Sequence, residues 1–170
     1  MDILLNRRSV RLFNDEEVTD SELDYLIKVG FSAPSARNQN SRQFIIIDDK
    51  NIIEELSNIS SGAKVLKNAN KVIGVIGYND GTLLSPNFIE ADLAAATENI
   101  LLAATNINLG SCWIGVSPVK DRALAAGKIL NVNDNQYVYS LIAIGHLKSD
   151  FKFSYKDKYI KEYVYRNKVK

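Results

Sequence analysis

The apolar positions of the chain fall into two periods. Leu23, Leu26, Ile27 and Phe31 recur at helical spacing behind Thr19-Asp20-Ser21-Glu22, a capping box in which the Thr19 hydroxyl and Glu22 close the first turn. Phe44-Ile45-Ile46-Ile47 is a short continuous apolar run, which predicts a buried strand, and residues 49–59 predict a helix with Ile52, Ile53 and Leu56 inward. A second buried strand is expected over 72–78. Pro86-Asn87 opens the longest predicted helix, running to about Leu109, whose Ile89, Leu93, Ala96, Ile100, Ala103, Ala104 and Ile107 are joined by alanines almost all round. Such a helix is buried, centrally or at an interface. After a stop at Leu109-Gly110, Cys112-Trp113-Ile114 reads as a short strand. A helix over 119–130 opens at Pro118, and 137–144, rich in Tyr, Val and Ile, predicts a last strand. Residues 33–41 are polar and loop-like, and 151–170 mix aromatics with lysines as an arm plus a short terminal helix. The order predicts one mixed α/β domain, residues 1–170, around a small central sheet, without the clean alternation of a doubly wound parallel sheet.

Composition narrows the chemistry. One cysteine, Cys112, excludes an internal disulfide framework and a cysteine-held zinc or iron–sulfur site within one chain, and suits a reduced, cytoplasmic setting. No leader is expected, because the first residues turn polar and basic too early, and no apolar run reaches the roughly 18 residues of a membrane span. The net charge of +1 conceals an uneven spread: residues 148–170 hold eight Lys/Arg against three acids, so the tail is +5 and the first 147 residues are −4. With the second basic knot at Arg7, Arg8 and Arg11, both ends are basic around an acidic body. That pattern fits a solvated tail, a nucleic-acid patch or a clamp for one anionic ligand.

The usual protein-borne catalysts are missing. His146 is the sole histidine and sits at a strand end, Cys112 has no basic neighbour in sequence to make a thiolate, and no carboxylate pair stands out. Gly74-x-x-Gly77 lacks a dinucleotide fingerprint, and there is no phosphate-loop lysine. Either the chain does not catalyse, or a cofactor carries the reaction. Three segments favour a cofactor. In an extended 6–13, Arg7, Ser9 and Arg11 share a side, and arginine forks match phosphate oxygens. The 33–41 loop is crowded with amides and hydroxyls that suit a heterocycle edge or a polyol. Gly115, straight after a short strand, permits close approach of a backbone N–H to a ligand.

Together, in this order, Arg7-Arg8-Ser9-Val10-Arg11-Leu12-Phe13, Ala33-Pro34-Ser35-Ala36-Arg37-Asn38, the helix 92–104, Leu109-Gly110-Ser111-Cys112-Trp113-Ile114-Gly115 and Ile142-Ala143-Ile144-Gly145 resemble the FMN-dependent nitroreductase family nearly end to end. The resemblance implies an α+β, nitroreductase-like fold: a small, mostly antiparallel sheet flanked by helices, with a C-terminal arm in an interlocked homodimer. It implies two FMN sites at the subunit interface and NADH or NADPH as electron donor. Small conjugated acceptors such as nitroaromatics or quinones would be reduced in a ping-pong cycle, with no nucleic-acid or membrane partner and no catalytic side chain or metal. By position, Arg7, Arg8, Ser9 and Arg11 would come from one chain, and Pro34, Ser35, Asn38 and Asn40 mostly from the other. Trp113, Ile114 and Gly115 would line the flavin ring, with a backbone N–H of Ile114 or Gly115 near its N5, and Lys156 or Lys158 would reach the phosphate. Two departures accompany it: Asn40-Ser41-Arg42 stands where Gln-Pro-Trp is usual, and the link from Tyr78 to Asn87 is short, which predicts an open pocket. A specialised flavin dehydrogenase or dehalogenase on the same fold, and a non-catalytic flavin-binding protein, are the alternatives.

Overall fold

The computed structural model describes residues 2–169; Met1 and Lys170, the outermost residues of the expected leader-free start and basic arm, lie outside the described residues. Four strands, β1 (Arg42–Ile47), β2 (Lys71–Tyr78), β3 (Leu109–Gly115) and β4 (Gln136–His146), form one sheet in the order β1-β2-β4-β3, antiparallel throughout. Helices α2 (Asp20–Phe31) and α4 (Ile89–Asn106) cover one face, where Leu23, Leu26, Leu93 and Ile100 pack on Ile73, Ile142 and Ile144. Helix α3 (Lys50–Ser57), a 3-10 segment Ser61–Asn68 and α5 (Lys120–Ile129) cover the other, over Val72, Ile76, Leu141 and Ala143. The mixed, mostly antiparallel architecture expected from the sequence is what forms, and each two-sided strand shows the continuous apolar run that burial on both faces demands.

The capping box at Thr19 forms as read: Glu22 N donates to Thr19 Oγ1 and Thr19 N to Glu22 Oε2. Three boundaries differ. Helix α4 ends at Asn106 rather than near Leu109, because Asn108, in the left-handed region at φ 60°, turns the chain. Leu109 and Gly110 therefore already belong to β3. A four-residue helix, α1 (Ile3–Asn6), capped by Asp2, precedes the extended segment that was expected to start at Asn6. The arm's terminal helix is a single 3-10 turn, Lys161–Tyr163.

The N-terminal segment is seated by two glycines. Gly110 of β3 and Gly145 of β4 face each other in register. A Cβ on Gly110 would lie 2.8 Å from Val10, and one on Gly145 2.7 Å from Phe13. Val10 and Phe13 thus drop onto bare backbone, while Val10 N donates to Ser111 O and Ser9 pairs with Ser111 along the outer edge of β3. This anchorage carries Arg7, Arg8, Ser9 and Arg11 to that edge.

Candidate functional site

Beyond the β3 edge lies a cavity of about 720 Å³. Arg7, Arg8, Ser9 and Arg11 line it from one end of the chain, and Lys156 and Lys158, with Tyr155 and Tyr159, from the other. The two basic ends therefore converge on one space. Within it, Arg7 is partly engaged, its Nε 2.9 Å from Glu98 Oε1 of α4. Arg8 gives Nη1 to the carbonyls of Leu5 and Arg7, while its Nε and Nη2 are buried without a partner among the described residues. Arg11 is exposed, with one long bond of 3.5 Å to Ser9 O. Two orphaned guanidinium nitrogens beside further cations and a serine hydroxyl are a donor set that fits a phosphate.

The outer edge of β3 runs beside the N-terminal segment, but Trp113, Ile114 and Gly115 are not among the residues that line this cavity. Because Ser111 O points outward to Val10, the antiparallel alternation turns Trp113 and Gly115 outward as well, and Cys112 and Ile114 toward β4. Gly115 is exposed, with open space where a Cβ would sit. The Trp113 ring goes to the α2/α4 face, 6.1 Å from Tyr139. Ile114 is 4% exposed in the core of the opposite face, and its N–H belongs to the β3–β4 ladder, so at this edge Gly115 is the more accessible of the two.

The loop 33–41 does not line this cavity within one chain. It is held from beneath. Asp92 of α4, 5% exposed, accepts from Ala36 N at 2.8 Å, Gln39 Nε2 at 2.7 Å and Ser41 Oγ at 3.3 Å. Arg42, 4% exposed, donates to the carbonyls of Phe31, Ala33 and Pro34 and to Asn40 Oδ1. Burial pulls the Arg42 guanidinium below its ordinary range, against the opposing charge of Asp92. Asn40 is exposed, and its amide braces the loop: Oδ1 accepts from Arg42 Nη2 and Nδ2 donates to Asn38 O. Pro34 and Asn38 are exposed and Ser35 half-buried. Asp92 is not among the candidate site residues read from the sequence; its place three residues into a helix that follows an Asn/Gln/Ser-rich loop is the one signal for it.

Cys112 is a buried free cysteine. Arg11 and Arg7 favour its thiolate, yet burial outweighs them and pushes the thiol up. His146 ends β4 between two carboxylates, 3.8 Å from Glu16 and 3.7 Å from Glu22. Among the described residues no cluster of three metal-ligating side chains occurs, and no helix is long and apolar enough to cross a membrane.

The comparisons with known proteins bear on the family and the fold. A protein of Archaeoglobus fulgidus, provisionally named an NADH dehydrogenase/NAD(P)H nitroreductase, is 31% identical over 151 residues, covering 89% of this chain and 87% of its own. A crystal structure from Clostridium acetobutylicum, of a protein provisionally named an NADH oxidase, superposes with a TM-score of 0.93 at 31% identity over 99% of this chain and all of the other. An FMN-dependent nitroreductase from Clostridium difficile gives 0.87 at 29% identity over 98% of each chain. The sequence profile of the Nitroreductase family matches residues 4–71 and 61–146, so it spans the N-terminal arginines, the braced loop and the whole sheet, and the chain belongs to the Nitroreductase family.

Proposed function

We propose that the chain is an FMN-dependent oxidoreductase that takes electrons from NADH or NADPH and reduces nitroaromatics, quinones or similar small conjugated acceptors. One observation carries the reading: Arg7, Arg8, Ser9 and Arg11 meet Lys156 and Lys158 around one cavity, with two guanidinium nitrogens of Arg8 left unpaired. That donor set suits a single terminal phosphate, which favours FMN over FAD. The chemistry supplied by bound FMN is hydride and electron transfer in two halves, from nicotinamide and then to the acceptor, the order of a ping-pong cycle. The chain's own residues bind and orient. Arg8, Lys156 and Lys158 neutralise the phosphate, Arg7 is divided between it and Glu98, and Arg11 stands as the cation beside the ring. The outward edge at Trp113 and Gly115 offers backbone groups to the ring.

Pro34, Ser35 and Asn38 complete the site from a second copy of this chain, in a homodimer formed from one domain per subunit in the reduced setting that a single buried thiol suits. Tyr159, Tyr163, Val164 and Val169 of the arm are exposed, and a second copy supplies their cover.

Denaturing the purified protein and separating what is released is expected to give FMN. The holoprotein is expected to oxidise NADH or NADPH when a quinone is added. Recovery of FAD, or of no flavin even after incubation with FMN, would overturn the reading.

A further inference from the structure

The loop 33–41 is bent into a shape that asparagine tolerates but that is costly at Arg37. Arg37, Asn38 and Asn40 have φ of 50°, 54° and 50°, three left-handed residues other than glycine within four positions. Such conformations persist only where the surroundings over-determine them. Here the surroundings are two buried ions of opposite charge. Asp92 collects a backbone N–H, an amide and a hydroxyl from Ala36, Gln39 and Ser41, and Arg42 collects three carbonyls and Asn40 from the loop's other side. Gln39 extends the brace: its Nε2 donates to Ser85 O and its Oε1 accepts from Ser85 N, tying the loop to the short link before α4. Burying a carboxylate and a guanidinium is costly, and an apolar filling would serve stability as well or better. What the ions provide is a fixed shape. Ser35 Oγ accepts from Asn40 N, which leaves its proton to donate outward, while Asn38 is exposed and has no side-chain hydrogen bond among the described residues.

We infer that Asp92 is a positioning residue for the cofactor: through Ala36, Gln39 and Ser41 it presets the loop so that Ser35 and Asn38 meet the ligand already in place. This rests on the function proposed above. Preorganisation raises affinity because the ordering cost is met before binding. A carboxylate with a merely structural role would lower the melting temperature when altered and leave the affinity of the folded protein unchanged.

The test uses the full chain. Asp92→Asn keeps size and shape but removes the charge and turns a donor toward Gln39. FMN affinity is read by fluorescence quenching. Loop order is read without ligand, as the rate of tryptic cleavage between Arg37 and Asn38 followed by mass spectrometry, with cleavage after Lys148, exposed in the link that follows β4, as internal control. The expected result is cleavage after Arg37 at least tenfold faster, an unchanged rate after Lys148, and FMN affinity at least tenfold weaker. If Asp92→Asn does not fold, Gln39→Ala, which removes one donor from a half-buried position, is read by the same two measurements. Unchanged cleavage overturns the inference, and so does faster cleavage with unchanged affinity. A native chain that binds no FMN overturns the proposed function and the inference with it, whereas a variant that matches a flavin-binding native chain overturns the inference alone.

Discussion

Arg7 and Arg11 stand four positions apart on one edge, yet their surroundings assign them different work. Arg7 is half-buried and spends its Nε on Glu98, whereas Arg11 is exposed with its guanidinium nearly free. A phosphate contact is equal in both redox states of bound FMN; a cation beside the ring is not, since the reduced ring gains negative charge. Arg11→Ala is therefore expected to lower the reduction potential and slow reduction by NAD(P)H while FMN stays bound. A charged hydrogen bond contributes about 1.5–3 kcal/mol, which corresponds to roughly tenfold or more in rate. Arg7→Ala is expected to weaken FMN binding and leave the potential of the bound flavin nearly unchanged, with a loss reduced by the share Glu98 already takes. A redox titration of both variants separates these roles. An Arg11→Ala protein with its potential unmoved and its FMN loosened identifies Arg11 as a second phosphate ligand instead. The basic residues themselves were legible in the sequence, because a knot of three arginines near one terminus and lysines near the other invite one anion. Ile114 and Asn40 were not, because only the pairing of β3 with β4 and the burial of Arg42 decide which way their polar groups turn.

The segment that carries the arginines is held to the sheet by hydrogen bonds and by shape. Among the described residues its backbone meets the sheet at two short bridges, through Val10 N→Ser111 O and Asn14 N→His146 O, and the fit of Val10 and Phe13 over Gly110 and Gly145 adds to the seating. A methyl group at Gly145 would stand 2.7 Å from the Phe13 ring, inside any real contact. Gly145→Ala is thus expected to destabilise the protein by about 1–3 kcal/mol, the usual cost of overpacking, and to weaken FMN binding by displacing the whole 7–11 segment. Denaturant unfolding and an FMN titration check this together, and a variant that loses stability with its FMN affinity intact shows that the arginines do not depend on this seat. The periodic elements were readable because burial writes itself into period: the four strands and α2 to α5 appear within a few residues of their expected places. Gly110 misled as a helix stop, since a glycine required for close approach looks in sequence like one required for a turn. The 3-10 segment Ser61–Asn68, with Ala63, Val65 and Leu66 buried between polar residues, has no period that a sequence reading separates from a loop.

In the whole molecule the uncovered apolar surface is not where the pattern pointed. The long helix suggested a dimer because it is apolar nearly all round, but a single chain already buries Leu93, Ala96, Ile100, Leu101, Ala103 and Ala104 against α2 and the sheet. Exposed large apolar side chains gather in the two terminal segments, with Leu84, Phe88 and Leu124 also open between them. Phe151 and Phe153 stack edge to face, 5.2 Å apart, and anchor the arm to the core, after which Tyr155, Tyr159, Ile160, Tyr163, Val164 and Tyr165 lie open. Tyr163 is 74% exposed and Leu4, across the basic cavity's rim, 70%. An arm without regular structure beyond one 3-10 turn does not hold such residues in water for its own stability; a second subunit that packs on them offsets the ordering cost. The chain is therefore expected to be a dimer at micromolar concentration, and its melting temperature is expected to rise with protein concentration, as it does when folding and association are linked. Removing residues 154–170 deletes the arm while leaving Phe151 and Phe153 on the core. The shortened chain is expected to dissociate and to lose FMN, since Lys156 and Lys158 go with it. Light scattering of the two proteins decides the matter: a monodisperse monomer for the full chain, or an unaltered dimer for the shortened one, shows that the arm is not what joins the subunits.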